Sequence, residues 1–124
     1  MTNHQGKLLV IDDNTVALEL LMKRLEQKGY ETRGIDKSLE VIPALEKEVP
    51  DLIILDLFMP EQDGFELTRK LKSIDQFKSI PVIGYSAGFD TDLDDAKVAG
   101  CDDVCLKNGE MSPLYESIQK LLSK

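Results

Sequence analysis

Two stretches of this chain are apolar almost from end to end and close on an acid: KLLVID at 7–12 and DLIILD at 51–56. Both fall far short of the ~20 residues that cross a bilayer. Neither alternates apolar with polar side chains, as a strand with one wet face would. Short runs of this kind read as strands buried on both faces, the situation of the inner strands of a parallel sheet with helices packed on each side.

The rest of the chain supplies the covering helices. Residues 16–28 carry Leu18, Leu21, Met22 and Leu25 on one helical face, with Gly29 as a stop. The more polar YETRGI at 30–35 reads as an edge strand. A helix is expected over 38–48 with Ile42, Leu45 and Val49 in register, and Pro43 should mark its first turn or kink it. After the 51–56 strand, residues 65–74 place Leu67, Leu71 and Ile74 at helical spacing. IPVIGY at 80–85 is a further strand, 92–99 a short helix ended by Gly100, and 104–106 a short strand. Residues 111–122 close the chain with Leu114, Ile118, Leu121 and Leu122 on one face. Five strands alternating with five helices imply right-handed crossovers and one parallel sheet. With the first and third strands central and the second at an edge, the expected order is 2-1-3-4-5, the flavodoxin-like doubly wound α/β arrangement.

A length of 124 residues suits one domain spanning 1–124, with no repeat or linker. The formal net charge of −8 argues against a nucleic-acid face, which needs surplus Lys and Arg. No segment reads as a signal peptide or membrane anchor, and Cys101 and Cys105 match no zinc or redox spacing. A cytoplasmic protein with reduced thiols is expected.

In such a sheet, ligands bind outside the carboxyl ends of the strands, where strands 1 and 3 part. Strand 1 ends in Asp12-Asp13, strand 3 in Asp56, strand 4 in Ser86-Ala87 and strand 5 in Lys107. Three carboxylates should therefore converge, flanked by a hydroxyl and an ammonium. Mutual repulsion makes such a cluster a site for a hard divalent cation. Mg²⁺ takes oxygen ligands and leaves room for a phosphate. Asp56 could then accept a phosphoryl group as nucleophile, with Mg²⁺ and Lys107 neutralising charge and Ser86 bonding a phosphoryl oxygen. A backbone carbonyl near Phe58 could be a further metal ligand, which would account for the irregular loop after Asp56. Singly, each residue has a plainer reading. Asp13-Asn14 could be a helix cap, Asp56 a turn acid, Ser86 a loop hydroxyl and Lys107 a surface lysine. Their shared position at one sheet end is what the plainer readings leave unexplained. The acids at 90–95 read as a solvated helix start, Met59 as packing, and His4 as part of a loose terminus.

Four motifs carry a family resemblance across almost the whole chain: VIDDN at 10–14, ILDLFMPEQDGFEL at 54–67, PVIGYSA at 81–87 and DDVCLK at 102–107. Together, in this order, they resemble the receiver domain of two-component response regulators. The resemblance implies that Asp56 is the phosphoacceptor and that Asp13 and Asp56 bind Mg²⁺ directly. Asp12 would act through a water, and the Phe58 carbonyl would complete the protein ligands. Ser86 would be the switch hydroxyl and Lys107 the phosphate-pairing lysine. The donor would be a phosphohistidine on a histidine kinase or phosphotransfer protein. The domain would take part in its own phosphorylation and dephosphorylation without being a turnover enzyme. Its signal would pass to a downstream protein, along a phosphorelay, or to a C-terminal output domain beyond these 124 residues. Neither nucleic acid nor membrane is an expected partner of this domain.

Three positions depart from the family pattern. Val104 stands where an aromatic residue usually turns inward, Asn108 where a proline usually follows the lysine, and Glu61 where the loop usually has a small residue. A conformational response that is weaker or differently routed is expected. The alternative reading is a pseudo-receiver that binds protein without phosphorylation, whose usual mark is loss of the acids or the lysine. A dehalogenase-type phosphatase would need an Asp at position 58, and its nucleophile on the first strand. A flavodoxin would need a Ser/Thr-rich loop where Asp12-Asp13-Asn14 stands.

Overall fold

The computed structural model describes residues 6–57, 64–86, 97, 99–107 and 109–123. Five strands, β1 (Lys7–Ile11), β2 (Glu31–Ile35), β3 (Leu52–Asp56), β4 (Val82–Ser86) and β5 (Asp103–Leu106), form one sheet in the order β2-β1-β3-β4-β5. Every adjacent pair is parallel. The doubly wound order expected from the apolar runs is the one observed. Among the described residues the covering elements are α1 (Thr15–Gln27), α2 (Val41–Lys47), α3 (Gly64–Ser73) and α4 (Ser112–Leu122), with a 3₁₀ turn at Ser38–Glu40. Lys97 and Ala99 are helical, at the end of the helix expected over 92–99. The remainder of that helix, His4, Phe58, Met59, Glu61, Ala87, the acids at 90–95 and Asn108 lie outside the described residues.

The all-apolar strands follow from the two-sided burial. Leu9, Ile11, Ile53 and Leu55 face one core with Val41, Leu45, Leu67 and Leu71. Leu8, Val10, Leu52 and Ile54 face the other, with Leu18, Leu21, Leu25, Leu114, Ile118 and Leu121. Consecutive strand residues point to opposite faces, so a strand between two cores has no position for a polar side chain. Each such leucine or isoleucine contributes ~1.5–3 kcal/mol on leaving water.

The helix expected over 38–48 departs from the sequence expectation at both ends. The segment expected as one helix over 38–48 is a 3₁₀ turn followed by α2. Pro43 lies in the first turn of α2, where its missing N–H is one that would have no helical partner anyway. The buried pair on α2 is Val41 and Leu45, whereas Val49 is exposed, because the helix ends at Lys47 before Val49 can join its face. Gly29 ends α1 as expected, with φ +97°, a conformation that glycine adopts without a Cβ penalty.

Candidate functional site

The register of the central strands brings the acids together. Ile11 pairs with Leu55, so one step further along the same register sets Asp12 level with Asp56. Asp56 in turn is opposite Tyr85, and Ser86 is opposite Leu106, one residue before Lys107. Asp13 follows Asp12 as the chain turns into α1.

The side chains of Asp12, Asp13 and Asp56 offer ligand oxygens that all lie within 4.8 Å of one another. Asp12 is 2% exposed and Asp56 8% exposed, whereas Asp13 faces solvent. Lys107 reaches into this group: its Nζ donates to Asp12 Oδ2 at 2.8 Å and to Asp56 Oδ2 at 3.3 Å. Burial by itself would push the Lys107 ammonium down. The hydrogen bond it donates to Asp12 and the charges of Asp56 and Asp12 outweigh that and hold it above the usual lysine value. The structure thus brings together Asp12, Asp13, Asp56 and Lys107. Ser86 is fully buried at the end of β4, and its carbonyl accepts the Lys107 backbone N–H at 2.7 Å. Phe58, whose carbonyl was expected to be a ligand, lies outside the described residues.

Backbone groups hold the acids in place. Asn14 is the N-cap of α1, its side chain accepting from the Ala17 N–H at 3.0 Å. Its own N–H donates to Asp12 Oδ1 at 3.0 Å. Capping therefore falls to Asn14, and the exposed Asp13 is left with a carboxylate oxygen within 4.8 Å of those of its two partner acids. On the far side of Asp56, the Gly64 N–H donates to Leu57 O at 2.9 Å. A Cβ on Gly64 would lie 2.5 Å from Leu57 Cα and 2.7 Å from Asp56 O, so only glycine lets α3 start this close to the acid.

Sequence reasoning missed three residues here: Asn14 as the orienter of Asp12, Gly64 as the close-approach glycine, and Tyr85. The signal for Asn14 was its cap-type side chain at the start of the leucine face. For Gly64 it was a glycine just ahead of a helix. Tyr85 left no signal beyond an aromatic residue in an apolar strand. It is buried, and the Lys107 Nζ lies 5.6 Å from the centre of its ring.

A cleft of about 190 Å³ opens from Asp12 and Lys107 along α1, walled by Leu20, Arg24, Tyr85 and Met111. Next to it, α1 presents Val16, 75% exposed, and Leu20, 50% exposed, one helical turn apart. No helix among the described residues is long and apolar enough to cross a membrane.

Fold and site together define a doubly wound α/β domain with a carboxylate cluster and a lysine at the carboxyl end of its sheet. Residues 8–119 match the response regulator receiver domain family, and the chain belongs to it. It is 30% identical over 116 residues to the polar-differentiation response regulator DivK of Brucella anthropi, covering 93% of this chain and 94% of that protein. Among solved structures, it resembles the receiver domain of a signal transduction histidine kinase from Syntrophus aciditrophicus. That match has a TM-score of 0.87 and 34% identity, over 95% of this chain and 90% of that one. It shares its fold with the receiver domain of the Pseudomonas aeruginosa sensor kinase PA1611 (TM-score 0.87, 22% identity, 96% and 98% coverage), which holds magnesium in its active-site cleft.

Proposed function

We propose that this receiver domain, spanning 1–124, takes a phosphoryl group from a phosphohistidine onto Asp56 in a Mg²⁺-dependent reaction, and that the adduct changes what the domain binds. The observation that carries the reading is the packing of Asp12, Asp13 and Asp56 within 4.8 Å, with the Lys107 ammonium bonded to two of them. An all-oxygen donor set of clustered carboxylates fits Mg²⁺. Asp13 and Asp56 would hold it directly, Asp12 through a water, and the Phe58 carbonyl would be the fourth protein contribution. When bound, the ion supplies positive charge against the acids and the transferring phosphoryl oxygens.

The chain's own residues do the rest. An Asp56 carboxylate oxygen forms the new P–O bond as the P–N bond of the phosphohistidine breaks, its electrons returning to the imidazole nitrogen. Lys107, already beside Asp56, would pair with a phosphoryl oxygen, and Ser86 would donate its hydroxyl to another. Asn14 keeps Asp12 aimed through its backbone N–H. The donor would be a histidine kinase or a histidine phosphotransfer protein. Val16 and Leu20, exposed on α1 beside the cleft, suit the packing of a donor helix there. A cytoplasmic location suits such a donor. Val104 is half-buried against the core on the α2–α3 side. Without an aromatic ring at this position, the response of β5 and α4 is expected to be small.

Incubation with Mg²⁺ and acetyl phosphate, followed by intact mass, should show one added phosphoryl group that is absent without Mg²⁺ and absent from Asp56→Asn. No adduct, also with a phosphohistidine donor, would move the assignment to a phosphorylation-independent binding module. Large amide shifts at Val104 and along α4 on adding a phosphoryl mimic would refute the small response.

A further inference from the structure

We infer that the ring of Tyr85 is a positioning group for Lys107, holding its ammonium over Asp56 and Asp12 and so setting how fast the site gains and loses phosphate. The inference rests on the reading of Asp56 as phosphoacceptor. Its geometry begins with the register. Asp56 lies opposite Tyr85, and Tyr85 opposite Cys105. Val10, Ile54, Tyr85 and Cys105 belong to one core, on the α1–α4 side of the sheet. Side chains two residues apart on a strand share a face. Asp56, two beyond Ile54, is therefore on the same face as Tyr85 and directly beside it. Lys107, two beyond Cys105, leaves β5 on that face as well.

Tyr85 thus occupies the space between Asp56 and β5, underneath the path that Lys107 takes back to the acids. The backbone of Lys107 is tied by its N–H to Ser86 O at 2.7 Å, but its four-carbon stem is intrinsically free to take many rotamers. Two things restrict it here. The carboxylates draw the ammonium, at 2.8 and 3.3 Å. The ring lies beneath it, with the ammonium 5.6 Å from the centroid, inside the ~6 Å over which a cation feels the negative face of an aromatic ring. An aliphatic side chain at 85 would fill the same core space yet offer no such face. The lysine stem would then be less confined at the moment a phosphoryl oxygen arrives.

The test compares wild type with Tyr85→Phe, which keeps the ring, and Tyr85→Leu, which keeps only apolar volume. The first readout needs neither phosphate nor a variant: in the wild-type NMR spectrum, the Lys107 ε-methylene protons should be shifted upfield by the ring. The shift should persist in Tyr85→Phe and vanish in Tyr85→Leu. The second readout is the rate of Asp56 phosphorylation by acetyl phosphate with Mg²⁺. Tyr85→Phe should stay within about twofold of wild type and Tyr85→Leu should fall roughly fivefold, the factor that ~1 kcal/mol of cation–ring attraction represents. Unshifted Lys107 protons in the wild type would overturn the inference, even if Tyr85→Leu did not fold. Equal rates for Tyr85→Leu and wild type, or Tyr85→Phe falling as far as Tyr85→Leu, would overturn it too. Absence of any wild-type adduct would instead sink the phosphoacceptor reading and leave the proton shifts to decide the positioning.

Discussion

Replacing Asp13 by asparagine separates what the acidic cluster costs the fold from what it does for metal binding. Its ligand oxygen lies within 4.8 Å of those of Asp12 and Asp56. Two unit charges at that separation repel by ~0.9 kcal/mol in bulk water and by ~3.5 kcal/mol at an effective dielectric constant of ~20. Asp13 is exposed and its partners are buried, so the effective value lies between these limits, ~1.5 kcal/mol per pair. Asp13 has two acids nearby, and the Lys107 ammonium bonded to both of them offsets about one of the two repulsions. Against that, a carboxylate ahead of α1 loses a favourable interaction with the helix dipole, ~0.5 kcal/mol. Asp13→Asn should therefore stabilise the metal-free protein by ~1 kcal/mol, or ~0.5 M in the urea midpoint if the slope is ~2 kcal/mol per molar. Mg²⁺ should reverse the order. At tenfold excess over its Kd the ion stabilises wild type by ~1.4 kcal/mol, and the variant, one ligand short, gains much less. Urea unfolding in EDTA and in Mg²⁺ reads both effects. A variant midpoint in EDTA at or below wild type would refute the repulsion argument. Equal Mg²⁺-induced shifts in the two proteins would refute the assignment of Asp13 as a ligand.

Other perturbations test the supports of the site. Gly64→Ala should cost ~1–2 kcal/mol in urea unfolding, because overpacking against Leu57 and Asp56 outweighs the better helix propensity of alanine; an unchanged midpoint would mean that α3 can retreat freely. Burial and then the nearby Asp103 charge push the Cys105 thiol up to about 11. Iodoacetamide at pH 8 should therefore alkylate it ~100-fold more slowly in the folded protein than in urea, and comparable rates by mass spectrometry would count against this. Asp103 sits low: burial would raise it, but the Ser117 hydroxyl, the Val104 N–H and Lys120 outweigh burial. A carboxylate lowered in the fold adds stability above its unfolded value of ~3.9 and loses it as pH falls through the folded one. Ser117→Ala should thus destabilise at pH 7 and converge on wild type in acid; a pH-independent difference would mean that only packing was lost.

The sheet was legible in the sequence because burial on both faces allows no polar position, and KLLVID and DLIILD satisfy that requirement without tertiary information. The edge strand was legible by contrast, since Glu31, Thr32 and Arg33 could not sit between two cores. Four of the site residues were legible for a topological reason. Once strands 1, 3, 4 and 5 are parallel neighbours, whatever ends them must meet, which draws Asp12, Asp13, Asp56 and Lys107 to one place. Periodicity was less informative where an element is short. Over 38–48 both Val41–Leu45 and Ile42–Leu45–Val49 fit helical spacing, and the choice between them is made by where the chain must leave α2 to enter β3.

What tertiary structure alone decided concerns lateral neighbours. That Asn14 caps α1 while orienting Asp12 depends on a backbone turn whose hydrogen bonds the residue types permit but do not dictate. That a side chain at position 64 would collide with Leu57 and Asp56 depends on how closely α3 approaches Asp56. That Tyr85 lies between Asp56 and the path of Lys107 depends on the register of β3, β4 and β5. Apolar and acidic patterning states which residues leave water and which strand ends carry charge. Register and approach distance are settled only when the strands pair and the helices pack, because each is a relation between segments far apart in the chain.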